Sequence, residues 1–157
     1  MSMRAETDGL GSSTEYVTAM IGGQLFGLPI ERVQDVFMPE RMTQVPLATS
    51  DIAGILNLRG RIVTVINMCC RLGLNSQQVE QAPMAIGIEC RGESYGLLID
   101  EIGEVITMSD SMRESNPANL DTRLAQVSAG VIRLESQLMV ILDIDRVLHV
   151  GAQIKAA

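Results

Sequence analysis

The chain repeats itself. Residues 26–36, FGLPIERVQDV, recur 69 positions later as residues 95–105, YGLLIDEIGEV, without a gap. Residues 54–72, GILNLRGRIVTVINMCCRL, recur 76 positions later as residues 130–148, GVIRLESQLMVILDIDRVL. In the second pair the apolar positions Ile55, Leu56, Leu58, Ile62, Val65 and Ile66 are answered by Val131, Ile132, Leu134, Leu138, Ile141 and Leu142. Two blocks in one order, at nearly one offset, mark a duplicated unit, and such a unit is folded by one grammar used twice. The halves run over about 15–79 and 84–149 and are joined by the polar linker NSQQVEQA at 75–82.

Each half has the same order of elements. A strand (Tyr16–Ile21; Met84–Cys90) leads through a Gly-containing turn into a second strand that carries an aromatic-Gly pair. A third strand follows around Gln34–Met38 or Glu104–Met108. A loop comes next, Pro39–Asp51 in one half and Ser109–Arg123 in the other, and a hairpin closes the unit. Short β-branched runs at this spacing predict a mainly β fold of two pseudo-symmetric small barrels. Met68–Leu72 and Asp143–His149 each fit one or two helical turns. Ser50-Asp51 fits a cap before Gly54. Residues 1–14 read as a flexible polar tail and 150–157 as a C-terminal tail.

The composition narrows the function. Twelve Lys and Arg face 19 Asp and Glu, a net charge of −7. A nucleic-acid partner needs a basic face, so none is expected. Aromatics at 3% provide no base-stacking platform. No apolar run approaches the roughly 20 residues of a membrane-spanning helix, and the N-terminus has no signal-peptide pattern. The three cysteines, Cys69, Cys70 and Cys90, have no framework spacing and read as reduced core thiols.

Catalysis has few candidates. The single histidine, His149, reads as a surface or packing residue. No CxxC or HxxxH spacing offers a metal site. The GLGSS stretch at 9–13 lacks the strand-to-helix setting of a phosphate loop. The acids Asp100-Glu101 and Asp143 with Asp145 read as solvated groups. The sequence therefore points away from an enzyme, with no cofactor and no metal expected.

What remains is the difference between the copies. Asn57-Leu-Arg59-Gly60-Arg61 becomes Arg133-Leu-Glu135-Ser136-Gln137. Shared positions specify the fold, and unshared ones are free to serve a function. Gly60 permits a turn with positive φ. Arg59 reads equally as a solvated turn residue, together with Arg61, or as a guanidinium aimed at a carboxylate or carbonyl partner.

The strand-turn-strand of residues 54–60, with the earlier Phe26-Gly27-Leu-Pro-Ile30 and Val33-Gln34-Asp35-Val36, resembles the chemotaxis coupling proteins, the CheW-like family. The likeness runs over about 15–149. It implies two five-stranded SH3-like β-barrels. It further implies a non-catalytic adaptor between the cytoplasmic tip of methyl-accepting chemoreceptors and a histidine autokinase, monomeric in isolation. Such an adaptor is cytoplasmic and is brought to the inner face of the membrane through receptor arrays. Carried over by position, Val33, Asp35, Gly54, Asn57, Arg59 and Gly60 are the receptor-facing set, with Ile30 lining the same apolar groove. Val105, equivalent to Val36, resembles the kinase-facing surface. An adaptor for a related pathway controlling pili, gliding or development is the alternative. The family also occurs fused to kinase or receiver domains, for which this chain has no room. It departs from the family at Thr64 and Asn67, where Pro and Asp are common, and at Cys69-Cys70. In the second copy Asp143 stands at the Asn67 position.

Overall fold

The computed structural model describes residues 12–46, 48–74 and 83–149. The linker at 75–82 and the tail at 150–157 lie outside the described residues, but Ser13 and Thr14, read from sequence as tail, already belong to the first strand. Among the described residues eleven strands carry the fold: β1 Ser13–Ile21, β2 Gln24–Pro29, β3 Val33–Phe37, β4 Ile52–Leu58, β5 Arg61–Asn67, β6 Met84–Cys90, β7 Glu93–Ile99, β8 Glu101–Ser109, β9 Arg113–Glu114, β10 Ser128–Arg133 and β11 Leu138–Leu142. Two short helices, α1 (Met68–Leu72) and α2 (Thr122–Val127), join them, and helical turns cover 144–149. Among the described residues no helix is long and apolar enough to cross a membrane.

The two halves do not make one sheet each. One sheet has the order β8-β1-β2-β11-β10-β9 and the other β3-β6-β7-β5-β4. Each sheet thus holds the first hairpin of one half between the third strand and the closing hairpin of the other half. This corrects the expectation of a first barrel over 15–79 and a second over 84–149. The physical reason is the length of one connection. To reach the free edge of β1, β3 would have to cross over the hairpin, which takes a dozen or more residues. Only the 3-10 turn Ile30–Arg32 separates β2 from β3, and only Asp100 separates β7 from β8. The third strand therefore pairs with the other half: β3 antiparallel to β6, and β8 antiparallel to β1. The closing hairpins join by parallel pairs, β5 with β7 and β11 with β2.

The strand count differs by one because β9, only two residues long, pairs with β10. Its counterpart in the first half is a single bridge, Thr43 to Ile55. Both crossings depend on a glycine. A Cβ on Gly54 would stand 2.9 Å from the Thr43 carbonyl oxygen, and one on Gly130 would stand 2.9 Å from that of Glu114. Both glycines also sit at a bulge in their hairpin.

Three apolar cores follow. A central one joins both sheets through residues such as Phe26, Leu28, Ile86, Leu97, Val140 and Leu142. A smaller one lies within each sheet, and the two reuse equivalent positions: Leu56, Val63 and Val65 in one, Ile132, Met139 and Ile141 in the other. Because the largest core draws on both halves, neither half can bury its own apolar surface.

The loop Ser109–Arg123 is more ordered than its composition predicts. It holds the 3-10 turn Asp110–Met112 and β9, and it leads into α2, where the Asp121 side chain accepts from the Arg123 backbone N–H at 2.8 Å. The capping expectation for Ser50-Asp51 is also corrected. The Asp51 carboxylate accepts instead from Arg71 Nε at 2.7 Å and from the Thr49 hydroxyl, and both ion-pair side chains are almost wholly buried, 2% exposed for Arg71 and 6% for Asp51. Asp51 aligns with Val127 and Arg71 with Val147, two valines of the central core. The backbones match as well: Asn67 N–H donates to the Asp51 carbonyl and Asp143 N–H to that of Val127, each at 2.8 Å. One copy therefore fills with two valines the place where the other buries an ion pair.

Three outcomes are expected. Residues 12–74 produced without 83–149 should show no cooperative thermal transition by circular dichroism, and mixing the two fragments should restore one. Arg71→Ala or Asp51→Ala should cost about 3–5 kcal/mol, since each leaves a buried charge unpaired, whereas Asp51→Val with Arg71→Met should stay folded. Burial alone would raise the Asp51 carboxyl, but the hydrogen bonds from Thr49 and Arg71 and the guanidinium charge outweigh it and hold it below the usual 3.8. A carboxyl depressed by folding stabilises above its unfolded value and loses that effect as the pH falls through its folded one. Denaturant melts below about pH 4 should accordingly show a shallower acid loss in the double variant than in the wild type.

Candidate functional site

The closing hairpin of the first half ends in a two-residue loop. Leu58 pairs with Arg61, and Arg59 and Gly60 between them have φ of 54° and 84°. Both residues are left-handed, which is the turn whose twist suits a hairpin. Glycine accepts this at little cost, whereas an arginine gives up about 1 kcal/mol or more. Asn57 supports the turn, its Oδ1 accepting from the Gly60 N–H at 2.9 Å. Arg91-Gly92 makes the same pair of angles between β6 and β7, so backbone strain does not single out Arg59.

Its partner does. β3 is bulged between Val33 and Asp35, and a bulge re-aims the side chains beside it. Gln34 and Asp35, neighbours in sequence, both line one cavity. The Asp35 carboxylate lies over Gly87, where any Cβ would collide with it, and it accepts from Arg59 Nη1 at 3.3 Å. Asp35 is on one edge strand of the five-stranded sheet and Arg59 at the tip of the hairpin that forms the other edge. The ion pair therefore spans the mouth of a cavity of about 250 Å³ lined by Phe37, Val63, Ile88 and Tyr95 among others. A second set of polar contacts lies beside it: Gln34 donates to Glu89 at 2.8 Å, and Arg61 pairs with the same carboxylate at 3.7 Å. The Tyr95 hydroxyl donates to Glu93 at 3.0 Å, and burial, then that bond, push its ionisation upward.

These pairs are open to solvent. The Arg59 side chain is 77% exposed, and exposed pairs contribute about 0–1 kcal/mol. They orient side chains more than they hold the fold.

The residues carried over from the sequence separate into groups. Asp35, Asn57, Arg59 and Gly60 come together at the mouth of the five-stranded sheet. Val33 opens β3 and packs against the central core. Gly54 is buried beneath Thr43. Ile30 is exposed in the 3-10 turn before β3. Val105 stands on the other sheet, exposed on the edge strand β8 opposite Val17. The structure adds Gln34, Arg61, Glu89, Tyr95 and the apolar Ile62, which is 61% exposed. Arg61 and Ile62 lie inside the quoted hairpin and were within reach of the sequence; Glu89 and Tyr95 arrive through strand exchange and gave no local signal.

Asn67 and Asp143 also find a role. Asn67 Oδ1 accepts from the Cys70 N–H at 3.1 Å, capping α1, and Asp143 accepts from the Arg146 N–H at 3.2 Å at the head of the 144–149 turns. Either side chain supplies the oxygen, so the departure at Asn67 leaves the cap intact. Asp100 accepts from the Gly22 N–H at 2.8 Å, and Asp145 from Arg32 at 3.4 Å and the Cys90 thiol at 3.3 Å. Among the described residues no three His, Cys, Asp or Glu converge as metal ligands.

Comparison with known proteins agrees with this architecture. The CheW-like domain model matches residues 15–151. The chain is 27% identical over 136 residues to the chemotaxis protein CheW of Treponema pallidum, covering 84% of this chain and 80% of that one. It is 27% identical over 134 residues to CheW of Bacillus subtilis, covering 85% and 86%. Protein PilI of Pseudomonas aeruginosa is 27% identical over 121 residues, covering 76% of this chain and 67% of PilI. The crystal structure of the scaffolding protein TtCheW from Thermoanaerobacter tengcongensis superposes with a TM-score of 0.74 at 27% identity, covering 83% of this chain and 89% of that one. By the span of that match, and by the fold it shares with the scaffolding protein, this chain belongs to the CheW-like domain family.

Proposed function

We propose that the chain is a non-catalytic adaptor that couples methyl-accepting chemoreceptors to a histidine autokinase, working in the cytoplasm at the inner face of the membrane. The observation that carries this is the placement of two candidate surfaces on different sheets. Arg59, Asp35, Asn57 and Gly60 gather at the mouth of the five-stranded sheet, and Val105 stands on the edge of the six-stranded one. An adaptor has to hold two partners at once, and faces on separate sheets allow it.

The chemistry of the first face suits a helical receptor tip. Exposed apolar side chains, Val36 and Ile62 on strands of the same sheet and Met38 just past the end of β3, accompany the Arg59–Asp35 pair. Apolar anchors beside a guanidinium fit an amphipathic helix laid along a groove. A few such anchors supply most of the energy of an interface. Ile30 and Val33 flank the start of β3, and Gly54 holds the hairpin against Thr43; we assign the two latter residues a supporting part in the receptor face. Val105 is the kinase-facing anchor. The likeness to a protein named PilI favours keeping the second reading, an adaptor of a chemosensory-like pathway controlling pili, gliding or development, which the genomic neighbourhood would distinguish.

The test is a pull-down with a receptor cytoplasmic fragment and the kinase. Wild type is expected to retain both. Arg59→Asn should keep or raise the melting temperature, because asparagine tolerates the left-handed conformation better than arginine, and should lose the receptor while retaining the kinase. Val105→Asp should do the reverse. A wild type that retains neither partner would sink the coupling reading; an Arg59→Asn protein that binds the receptor as well as wild type would remove Arg59 from the contact.

A further inference from the structure

The duplicated frame contains one place where the two copies solve the same packing problem differently. Where the second half puts Val127 and Val147, the first puts Asp51 and Arg71. A buried ion pair is seldom more stable than the apolar pair that replaces it, and here the apolar solution exists in the same molecule. The charged solution therefore asks for a reason beyond stability.

A cavity of about 480 Å³ opens beside this pair. It lies where equivalent segments of the two halves meet, so that Asp51 and Val127 both line it, along with Arg71, Arg123, Ser50 and Cys70. Three features make it a seat for an anion. First, Arg71 is 2% exposed and has five N–H donors, yet its bonds among the described residues are one from Nε to Asp51 and one from Nη1 to the Val147 carbonyl at 3.2 Å. Buried donors of this kind are normally satisfied. Second, Arg123 forms no ion pair among the described residues, and its guanidinium lies across Gly73, at the end of α1, where a Cβ would collide with it. Third, the one acid among the described lining residues, Asp51, is already occupied: one oxygen takes Arg71 Nε and the other the Thr49 hydroxyl. Two guanidinium groups against one carboxylate leave the lining positive in a chain whose net charge is −7.

We propose that this cavity binds a small oxyanion, a phosphate- or carboxylate-bearing molecule gripped between Arg71 and Arg123. Planar guanidinium forks match both groups with paired hydrogen bonds. The volume falls in the range of small-molecule sites. Among the described residues no aromatic side chain lines it, so they offer nothing for a nucleobase to stack on. The ligand bridges α1 of the first half and α2 of the second.

The experiment uses the full chain, titrated with inorganic phosphate and, separately, with citrate, against chloride at equal ionic strength. Binding is followed by calorimetry and by the alkylation rate of Cys70, read on its own peptide by mass spectrometry. Cys70, read from the sequence as a core thiol, is instead exposed and lines the cavity, so an occupant shields it. At ten times Kd alkylation should slow about tenfold, as the open fraction falls. Protection by phosphate alone assigns phosphorylated ligands, by citrate alone carboxylates. Arg123→Ser should abolish it, and so should Asp51→Val with Arg71→Met, the double change that imitates the apolar copy. Arg133→Ser, on the six-stranded sheet, should leave it unchanged. Chloride-like behaviour of both probes, or full protection in Arg123→Ser, overturns the proposal. Arg123 is exposed, so that variant decides the matter even if the double one does not fold.

Discussion

The molecule depends on a connection too short to cross a sheet. Three residues between β2 and β3, and one between β7 and β8, prevent the third strand of each half from closing on its own hairpin. It pairs with the other half instead, and the rest of the architecture follows. Each sheet becomes a composite of both halves, the parallel joints form where closing hairpins meet foreign strands, and the largest core lies between the sheets. Duplication here did not yield two domains on a string. It yielded two sheets that cannot be separated without dismantling both. For the adaptor proposed above this matters mechanically, because a composite frame fixes the surface of one sheet relative to that of the other.

Within that frame the copies are held to equivalence where the backbone is crowded. A Cβ on either Gly54 or Gly130 would meet a neighbouring carbonyl oxygen at the same 2.9 Å, and Asn67 and Asp143 cap equivalent turns. The Asp51–Arg71 pair breaks this equivalence in the interior. An ion pair so buried is sensitive to direction and to the loss of either member, while two valines are indifferent to both. It also reaches further, since Arg71 bonds the Val147 carbonyl and so ties α1 to the 144–149 turns. The first copy thereby carries a directional brace where the second has plain apolar contact.

The repeat made most elements legible. Two aligned copies expose which positions are apolar in both, and the strand positions, the hairpins and the helical turns after them follow from that pattern. The exchange of strands was hidden because alternation records which face of a strand is buried and not which strand lies beside it. A foreign neighbour and a native one leave the same imprint on Val33 or Ile86. Helix α2 was hidden by polar neighbours in a loop whose charged residues outnumber its apolar ones. The site was legible in part. Arg59, Gly60 and Asn57 stand out because they are absent from the second copy, and the resemblance supplied Asp35. Nothing local to Glu89 or Tyr95 could have placed them next to Arg61 or Phe37, since only the exchanged pairing of β6 and β7 brings them there.

The charges at equivalent positions of the two sheets differ, as the proposed adaptor with two different partners requires. On the first face Asp35 and Arg59 are opposite in sign and 3.3 Å apart. Their equivalents on the second face are Glu104 and Glu135, two acids that would repel at that distance. Arg133, standing where the first face has Asn57, pairs instead with Glu114 at 3.2 Å. The same backbone thus presents a compensated, cation-tipped mouth on one sheet and a more acidic surface on the other. A partner complementary to one face meets like charge on the other, and like charge across an interface discriminates more sharply than a missing contact does. Exposed Val36 and Val105 give both faces an apolar anchor at equivalent positions. Affinity can then come from what the copies share, and the choice of partner from the few positions where they differ.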